Sequence, residues 1–599
     1  MQTSSPRDSI EPLCSSGPAS GDLPEPNPRA RAVPYLFDWL VYAGIVVSSL
    51  ASALLGAYRV EADTVAYLDL SDAVRLHRWH ALFNGSWFPL YPAFVALGKA
   101  AFGNRPACEF MAARLVDSLL GLFFVLASIV LAGTIRRLML ARGVPREHLL
   151  SRRTLFLWVA IFAYFFVAQD LNGIKPDALT SAFLLLAIAA TFEGLIEGKL
   201  LPFIVTGVFG GLAYWTKAFA FPVFLLWLLL VALVNLRGYR VLLRLGCAAG
   251  VFALIAAPYI RQISVELGHL TIGDSGTLNS AWYVNGADRI NPVSGSSLYQ
   301  HGNAVPDFVH PGTLLASSPE ITYYGGDRVF GTTPQWDDFS YWSDGLKPRF
   351  SLHQTLAAVC GNFKGLMLIL PMRLQAFLLV GALCGWGLAV RRASLVDPVL
   401  PMAALLAVAS VGSLLLVHFE SRYVSFAFII LGALWAGAAR RARSSELRGL
   451  HAAILLMAAL ILTYALQQTM REWKTAVGEG AEPMHGVYSL PVFSAGAQLA
   501  SLYPAGSEVA CMGDTACWAD PYWAKLARLK MTAIIETGNG YVNKSASEGC
   551  AKLAENPAAL DALRQKDIRA IVAEFGESRP CSPQWLALGR SGHFFYLPL

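Results

Sequence analysis

The fold is decided by residues 154–197, which read TLFLWVAIFAYFFVAQ, then DLNGIKPD, then ALTSAFLLLAIAATFEGLIE. Two apolar runs, 154–169 and 178–197, flank a short charged turn. A helix needs about 20 apolar residues to cross about 30 Å of hydrocarbon. The same alternation recurs along the 599 residues, of which only 15% are charged, whereas a soluble protein carries about 25%. We therefore predict a multi-pass membrane protein rather than a soluble or largely disordered one.

Eleven apolar runs are candidate membrane-spanning helices. They are 35–57, 111–135, 154–169, 178–197, 200–216, 219–236, 241–260, 374–390, 399–417, 424–439 and 450–468. Lys and Arg are enriched in short cytoplasmic loops, and the arginine-rich loops between these runs share one side if the N-terminus is cytoplasmic. The predicted fold class is an α-helical polytopic membrane bundle of eleven spans in the inner (plasma) membrane, with its C-terminus periplasmic or extracellular.

Composition divides the chain into three parts. Residues 1–34 hold seven prolines and no apolar run, and we interpret them as a disordered cytoplasmic tail. Residues 35–468 form the predicted membrane domain, with two long exterior loops at 58–110 and 261–373. The second loop is rich in Trp and Tyr, which suit contact with sugar rings or with lipid. Residues 469–599 alternate short apolar runs with helix-like stretches, which predicts a small exterior α/β domain.

The apolar stretch 88–103 does not fit this topology as a span, because it would place the arginine-rich loop 136–153 outside. We interpret it as a helix lying at the outer membrane interface, where Lys99 and two prolines suit a polar boundary. A twelfth span at 88–103 is the alternative.

Four of the nine cysteines, Cys511, Cys517, Cys550 and Cys581, lie in the C-terminal segment. An oxidising exterior permits two disulfides there, with Cys511 and Cys517 the favoured local pair, and four buried free thiols are the alternative. The segment carries no Ser/His/Asp or phosphate-loop pattern, and the chain has no zinc-ligand spacing. The small net charge of +6 gives no sign of nucleic-acid binding.

Ionisable residues gather at the exterior ends of the predicted spans. In chain order they are Glu61 and Asp63, Lys175 and Asp177, Lys217, then Glu420 and Arg422 beside Tyr423. A carboxylate can take a proton from a hydroxyl or ligate a divalent cation, and Lys and Arg can hold an anionic headgroup. Each cluster alone could be a satisfied ion pair or, for the acids, a solvated helix cap. Four clusters on one face of a bundle predict a shared cavity for a membrane-borne phosphate.

These features resemble the membrane-embedded glycosyltransferases of the C-type fold, which use polyprenyl-phosphate-linked sugars. The nearest likeness is to the protein mannosyltransferases, the aminoarabinose transferases of lipid A and the rhizobial core transferases. The resemblance covers about residues 35 to 470 and rests on Glu61-x-Asp63, the PLYP segment at 89–92, Lys175-Pro-Asp177, Thr216-Lys217 and Glu420-Ser-Arg422-Tyr423. It implies inverting transfer of a sugar from polyprenyl phosphate to a hydroxyl of a glycan, lipid or protein at the outer face of the membrane.

The resemblance also implies roles for individual residues. Asp63 would be the general base, and Glu61 and Asp177 would position the acceptor or sugar, or hold a metal. Lys217 and Arg422 would neutralise the phosphate as the glycosidic bond breaks. The other candidate substrate-binding residues are Lys175, Glu420, Tyr423 and Arg261. No cofactor is certain, and a divalent cation (Mg²⁺ or Mn²⁺) stays open because Glu-x-Asp departs from the strict double-aspartate form.

Two other function classes share this composition. A transporter or flippase of an anionic lipid or sugar also gathers charges in a cavity, but it is expected to show internal repeats and interrupted spans, which the sequence lacks. A receptor or scaffold function does not explain the four charged clusters. The predicted partners are therefore a polyprenyl-phosphate sugar, an acceptor and membrane lipids, and no nucleic acid.

Overall fold

The computed structural model of the chain describes most of its length. The described residues are 28–55, 57–58, 60, 62–103, 105–170, 174–286, 308–326, 330–369, 396–438, 444–478, 487–488, 490–513, 515–536, 546–575, 580–589 and 592–599. The predicted disordered tail, 1–34, therefore lies largely outside them, as does the predicted span 374–390.

Long apolar helices form most of the described chain. The N-terminal series is α1 (Pro28–Leu55), α2 (Ala62–Arg75), α3 (Leu90–Phe102), α4 (Pro106–Ala141), α5 (Arg152–Asp170), α6 (Asp177–Glu197), α7 (Leu201–Thr216), α8 (Ala220–Val234) and α9 (Tyr239–Leu267). The second series is α10 (Leu352–Ile369), α11 (Val399–Leu415), α12 (Ser425–Ala438) and α13 (Ser444–Gly478). Ten of the eleven predicted spans coincide with helices of these two series.

The predicted count of eleven spans is not confirmed. Among the described residues, six helices are long and apolar enough to cross a membrane: Leu36–Leu55, Cys108–Ala141, Arg146–Ala168, Asp177–Glu197, Tyr239–Leu267 and Ala452–Arg471. α7, with 16 residues, is one of the shorter apolar helices, and that length is about 24 Å against about 30 Å of hydrocarbon. Several long apolar helices in one chain nevertheless make this a multi-pass membrane protein.

The α6–α7 hairpin shows how local sequence shapes the bundle. α6 begins at Asp177 and ends before Gly198, whose φ of 65° lies in the left-handed region that favours glycine. α7 packs closely on α9, because a Cβ atom at Gly207 would lie 2.4 Å from the carbonyl oxygen of Ala248. Since α6 and α7 are antiparallel neighbours, the end of α7, followed by Lys217, lies beside the start of α6.

α2 and α3 belong to the segment 58–110, the predicted first exterior loop. α3 covers the stretch 88–103 with only 13 residues, about 20 Å of helix, which is too short to cross a bilayer. Lys99, which suited a polar boundary in the sequence, does not lie on the surface of the protein. Its side chain is fully buried, and its Nζ lies 2.6 Å from Asp72 Oδ1 and 2.8 Å from Glu109 Oε2. Carboxylate partners are what allow a lysine to be buried.

The C-terminal region is built on a mixed sheet. The strands of the described chain are β1 (Ala57–Tyr58), β2 (Thr313–Ser317), β3 (Glu320–Tyr323), β4 (Val487–Tyr488), β5 (Glu508–Met512), β6 (Lys530–Ile535), β7 (Ala570–Glu574), β8 (Leu586–Leu588) and β9 (Phe594–Pro598). The main sheet has the order β2-β3-β6-β5-β7-β9-β8, and β1 pairs separately with β4. β5 runs parallel to β6 and β7, and the other neighbours in the main sheet are antiparallel.

Helices cover both faces of this sheet. They are α14 (Leu490–Leu502), α15 (Tyr522–Ala527), α16 (Ala546–Glu555) and α17 (Pro557–Gln565). Along β5, Ala510 and Met512 belong to the core with α16 and α17, whereas Val509 and Cys511 belong to the core that continues into the membrane helices. Successive side chains of a β-strand point to opposite faces of the sheet. The face that carries Val509 and Cys511 is therefore the one that packs toward the membrane helices.

Part of the long loop 261–373 belongs to the C-terminal sheet. Its residues 313–323 form β2 and β3, and β3 pairs with β6 of the C-terminal segment. The sheet is therefore not made by residues 469–599 alone. α10 also begins inside this loop, at Leu352.

Two disulfides join the C-terminal cysteines. Cys511 is bonded to Cys517, and Cys550 to Cys581, with Cα–Cα distances of 5.4 and 5.8 Å. The favoured local pair is confirmed, and the alternative of four free thiols is wrong.

Candidate active site

Three charged turns from distant parts of the chain meet at one end of the bundle. Lys175 lies just before α6, and Asp177 is its first residue. Lys217 follows α7 directly. The third turn, 416–424, joins α11 to α12 and carries Glu420 and Arg422. Each side chain therefore sits at the end of a helix, where the apolar run stops.

These side chains form a linked set of ion pairs. Lys217 Nζ lies 2.5 Å from Asp177 Oδ1, and Arg422 Nε lies 3.7 Å from Asp177 Oδ2. Arg422 Nε is also 2.5 Å from Glu420 Oε2, and Glu420 Oε1 is 3.0 Å from His418 Nε2. Both cations thus share Asp177, and they stay close together because that carboxylate lies between them.

The aromatic ring of Tyr423 contacts both cations. Lys217 Nζ lies 3.9 Å from the centroid of this ring, and the guanidinium carbon of Arg422 lies 5.0 Å from it. Cations over a desolvated aromatic face are attracted by the ring quadrupole. The phenol oxygen of Tyr423 also accepts a hydrogen bond from Arg422 at 3.2 Å.

The protonation states follow from burial and from these neighbours. Burial raises the pKa of Glu420, but the hydrogen bond from His418 and the charges of Arg422 and Lys175 outweigh it and lower the pKa to about 2. Burial lowers the pKa of Lys217 below its usual value despite the Asp177 carboxylate. Burial also opposes the charge of Arg422, but its neighbours raise its pKa. Glu420 and Arg422 are therefore charged at neutral pH.

Two cavities meet at the ion pairs formed by Asp177, Lys217, Glu420 and Arg422, which we call the charged corner. A polar chamber of about 390 Å³ opens on one side, and an apolar cavity of about 430 Å³ runs between α6, α8, α11 and α12 on the other. The residues common to both linings are Asp177, Lys217, Ser275, Asn279, His418, Arg422 and Tyr423. The cations thus lie where an apolar channel becomes polar.

Asp63 lies in the wall of the polar chamber, in the first turn of α2. Its Oδ1 accepts a hydrogen bond of 3.1 Å from the indole nitrogen of Trp336. Tyr67, one turn further along α2, lines the same chamber. Burial raises the pKa of the Tyr67 phenol, and the charges of Asp177 and Asp63 raise it further, so that Tyr67 stays neutral.

Aromatic side chains form much of the remaining wall. Trp87, Trp282, Trp336 and Phe339 come from the two exterior loops, and Trp518 comes from the C-terminal segment. The composition of the loop 261–373 indicated that its aromatic residues contact sugar or lipid. Trp518 was not among the predicted site residues, because nothing in the local sequence shows that this segment of the C-terminal domain reaches the membrane domain.

Seven of the predicted site residues line the polar chamber: Asp63, Lys175, Asp177, Lys217, Glu420, Arg422 and Tyr423. Glu61 lies outside the described residues. The structure does not bring Arg261, the remaining predicted phosphate contact, to the site. Arg261 is exposed on α9 and lines neither cavity, because its neighbours Tyr259 and Ile263 take the buried side of the helix.

The acids of the chamber do not assemble into a metal centre within the part of the chain that the structure describes. No three His, Cys, Asp or Glu side chains gather there in an arrangement that would hold an ion. Asp177 is engaged by Lys217 and Arg422, and Glu420 by Arg422 and His418. These donors are already neutralised by cations of the protein and do not fit a divalent ion.

Solved structures share this architecture. The crystal structure of ArnT from Cupriavidus metallidurans in the apo state matches with a TM-score of 0.51 and 14% sequence identity, over 94% of this chain and 98% of ArnT. The chain has the fold of ArnT. ArnT bound to undecaprenyl phosphate matches with a TM-score of 0.49 and 12% identity, over 95% and 98% of the two chains. The conclusion about the fold rests on the apo structure.

A weaker match is the archaeal oligosaccharyltransferase AglB from Archaeoglobus fulgidus, in complex with an inhibitory peptide and a dolichol-phosphate. Its TM-score is 0.40, with 11% identity over 90% of this chain and 69% of AglB. No protein-family model matches the chain, and no curated protein matches it in sequence.

ArnT and AglB are membrane glycosyltransferases of the C-type fold. The likeness to ArnT extends over nearly the whole length of both chains, so it includes the membrane helices and the C-terminal sheet. The C-type fold expected from the sequence is therefore confirmed. At 14% identity the likeness to ArnT shows the fold alone.

Proposed function

We propose that the protein transfers a sugar from a polyprenyl-phosphate donor to a hydroxyl acceptor with inversion at the anomeric carbon. The observation that carries the proposal is the meeting of the two cavities at Lys217 and Arg422, with Asp63 in the wall of the polar chamber. ArnT, which shares the fold, has been crystallised bound to undecaprenyl phosphate.

Each part of the donor has a matching environment. The prenyl chain needs an apolar channel open to the membrane, and the apolar cavity is lined by side chains such as Leu184, Val223 and Phe426. The phosphate needs cations at the polar end of that channel, where Lys217 and Arg422 lie. The sugar then enters the polar chamber, whose aromatic walls suit the apolar faces of a sugar ring.

The reaction follows from this placement. Asp63 accepts the proton of the acceptor hydroxyl, and the hydroxyl oxygen forms a bond to the anomeric carbon of the sugar. The bond between that carbon and the phosphate oxygen breaks, and the bonding electrons leave with polyprenyl phosphate. Lys217 and Arg422 stabilise the negative charge that develops on the phosphate. Attack opposite the leaving group inverts the anomeric carbon.

We place the site at the outer face of the inner membrane. The C-terminal sheet lies on the same side as the polar chamber, because Trp518 lines it. That sheet carries the disulfides Cys511–Cys517 and Cys550–Cys581, and disulfides persist in oxidising compartments outside the cytoplasm. The donor is then a lipid-linked sugar of the outer leaflet, and the acceptor a glycan, lipid or protein that presents a hydroxyl there.

The mechanism assigns no step to a metal, since the acids at the charged corner are paired with protein cations. A reaction that needs a divalent cation, Mg²⁺ or Mn²⁺, is the alternative that the sequence left open. Transfer assayed in EDTA tests it directly.

The deciding experiment uses the full chain reconstituted in vesicles. Undecaprenyl phosphates carrying radiolabelled mannose, glucose or aminoarabinose are supplied with lipid A, an oligosaccharide or a peptide as acceptor. We expect the label to become covalently attached to one acceptor, with an inverted anomeric configuration by NMR. Label that crosses the bilayer without covalent attachment would instead establish a transporter.

A further inference from the structure

A short segment of the C-terminal domain reaches the polar chamber. Trp518 lies in the turn Thr515–Ala519 and packs edge-on against Trp336, with 4.0 Å between ring centroids and 83° between ring planes. Trp336 in turn donates its hydrogen bond to Asp63. One aromatic ring therefore separates the C-terminal domain from the proposed base.

The position of Trp518 is held by its own domain. The preceding residue, Cys517, is bonded to Cys511 of β5. The indole nitrogen of Trp523, in α15, donates a 3.0 Å hydrogen bond to the carbonyl oxygen of Ala516. The turn is thus tied to the sheet on one side and to a buried helix on the other, which restricts where the Trp518 ring can go.

Lys525 of α15 makes a second connection, to the helix that carries Asp63. Its Nζ lies 2.5 Å from Asp69 Oδ1 and 2.6 Å from Asp72 Oδ2, and the residue is only 9% exposed. α2 has Asp63 in its first turn and Asp69 and Asp72 further along. A lysine of the C-terminal domain thus holds two acids of the helix on which the proposed base sits.

The surroundings of Lys525 make this connection specific. Lys99 of α3 is paired with Asp72 and with Glu109 of α4, and Arg75 lies 3.8 Å from Asp72. Lys525, Lys99 and Arg75 thus pair with Asp69, Asp72 and Glu109 in this cluster. Removing Lys525 leaves a buried carboxylate without compensation, which is strongly unfavourable.

The same cluster is joined to the loop that carries Trp336. Asp69 Oδ2 accepts a 2.7 Å hydrogen bond from the backbone nitrogen of Thr332. Asp69 therefore links Lys525, α2 and the segment before Trp336. The two connections from the C-terminal domain converge on the pair formed by Asp63 and Trp336.

We propose that the C-terminal domain is part of the sugar site: Trp518 forms a wall against which the donor sugar packs, and Lys525 is a positioning residue that holds α2 and so keeps Asp63 in place. The proposal rests on the proposed transferase function and adds a domain to it. An indole face or edge excludes water from the apolar C–H groups of a sugar ring. A bare polyprenyl phosphate has no sugar to place there.

The first test is direct binding and needs no turnover. Wild type and W518A, as full chains in nanodiscs, are titrated with undecaprenyl phosphate and with undecaprenyl phosphates carrying mannose, glucose or aminoarabinose. We expect W518A to weaken binding of the best sugar-bearing donor about tenfold, to leave undecaprenyl phosphate unchanged, and W518F to restore part of the loss. The matched control is W79A, which removes an exposed tryptophan of the first exterior loop.

Equal affinities of wild type and W518A for the sugar-bearing donor would overturn the role of Trp518. So would a wild type that binds no sugar-bearing donor better than undecaprenyl phosphate. Neither result depends on transfer. Weak binding of every polyprenyl phosphate by the wild type would contradict the proposed function itself.

The second test concerns Lys525 and separates positioning from folding. K525M is compared with K525R and with K525M/D69N, which keeps the net charge of the cluster and avoids an unpaired carboxylate. We expect K525M and K525M/D69N to lower kcat at least about tenfold with donor KM unchanged, and K525R to recover part of it. The control K552M removes a lysine from an exposed pair with Glu548.

Wild-type kcat in a folded K525M/D69N protein would overturn the positioning role, because that protein lacks the ion pairs of Lys525 with Asp69 and Asp72. A loss confined to thermal stability, with kcat and KM at wild-type values, would also overturn it. A loss of kcat in K525M that is smaller in K525R, where an arginine can pair with Asp69 and Asp72 in place of the lysine, supports it.

Discussion

The indole nitrogen of Trp336 donates a 3.1 Å hydrogen bond to Oδ1 of Asp63, across 273 positions of the chain. Trp336 comes from the long second exterior loop and Asp63 from the first turn of α2. This bond orients the carboxylate of Asp63 in the wall of the polar chamber. It also makes the geometry of the proposed base depend on how the long loop folds.

Replacing Asp63 with Asn removes the proposed base and keeps the size of the side chain. We expect the D63N protein to bind undecaprenyl-phosphate sugar normally and to transfer it about 10³-fold more slowly, because a positioned base supplies about 10²–10⁴-fold. Single-turnover transfer with labelled donor measures the rate, and D63E is the matched control that keeps a carboxylate. Wild-type turnover by D63N would remove Asp63 from the base role.

Removing Lys217 takes away one of the two cations at the junction of the cavities. We expect K217A to weaken binding of undecaprenyl phosphate about 10- to 100-fold, since a charge-assisted hydrogen bond contributes about 1.5–3 kcal/mol. Titration of the lipid into nanodisc-embedded protein gives the affinity. R261A, which removes an exposed arginine outside both cavities, should leave the affinity unchanged, and an effect equal to that of K217A would point to a general surface-charge effect.

Glu420 predicts a pH dependence of stability. Its pKa is lowered from 4.5 in the unfolded chain to about 2 in the folded protein, so the ionised form stabilises the fold above pH 4.5. That contribution is lost as the pH falls from 4.5 through 2. Thermal melts in detergent should therefore show wild type more stable than E420Q at pH 6, with the difference shrinking toward pH 2. A constant difference over this range would contradict the ion pairs of Glu420.

Breaking the Cys511–Cys517 disulfide frees the turn that carries Trp518. We expect the C511A/C517A variant to bind sugar-bearing donor more weakly than wild type, while C550A/C581A, which breaks the disulfide beside α16, keeps wild-type donor affinity. Both variants lose some stability, because a disulfide typically contributes about 2–4 kcal/mol. Thermal melts first show that each variant is folded, and donor titration then separates a loss of affinity from a loss of stability. Equal donor affinities in the two variants would show that the Cys511–Cys517 disulfide does not influence donor binding.

Removal of divalent cations with EDTA tests whether sugar transfer needs a metal ion. We expect transfer to continue at its normal rate in EDTA, because Asp177 and Glu420 are paired with Lys217 and Arg422 and the proposed mechanism uses no metal. The rate before and after chelation is compared, with added Mg²⁺ or Mn²⁺ as the recovery control. A loss of transfer that either ion restores would favour a reaction that depends on a divalent cation.

Apolar runs predicted the helices well, because hydrophobic length is a local property of the sequence. The run 178–197 became Asp177–Glu197, and the run 200–216 became Leu201–Thr216. The gathering of Asp177, Lys217 and Arg422 was also predictable, since helix ends on one side of a membrane lie in one plane and isolated charges there need partners. Span number was less predictable, because several apolar helices fall short of the bilayer thickness.

The sequence by itself determined the membrane helices, the charged turns at their ends and the local disulfide Cys511–Cys517. Only the tertiary structure decided that Trp518 enters the chamber, that Lys525 and Lys99 are buried among carboxylates, and that Arg261 faces away. The periodicity of apolar residues and the length of an apolar run depend on neighbouring residues, so both are visible in the sequence. The burial of a single charge or ring depends on which distant segments cover it, and that information appears only when the chain has folded.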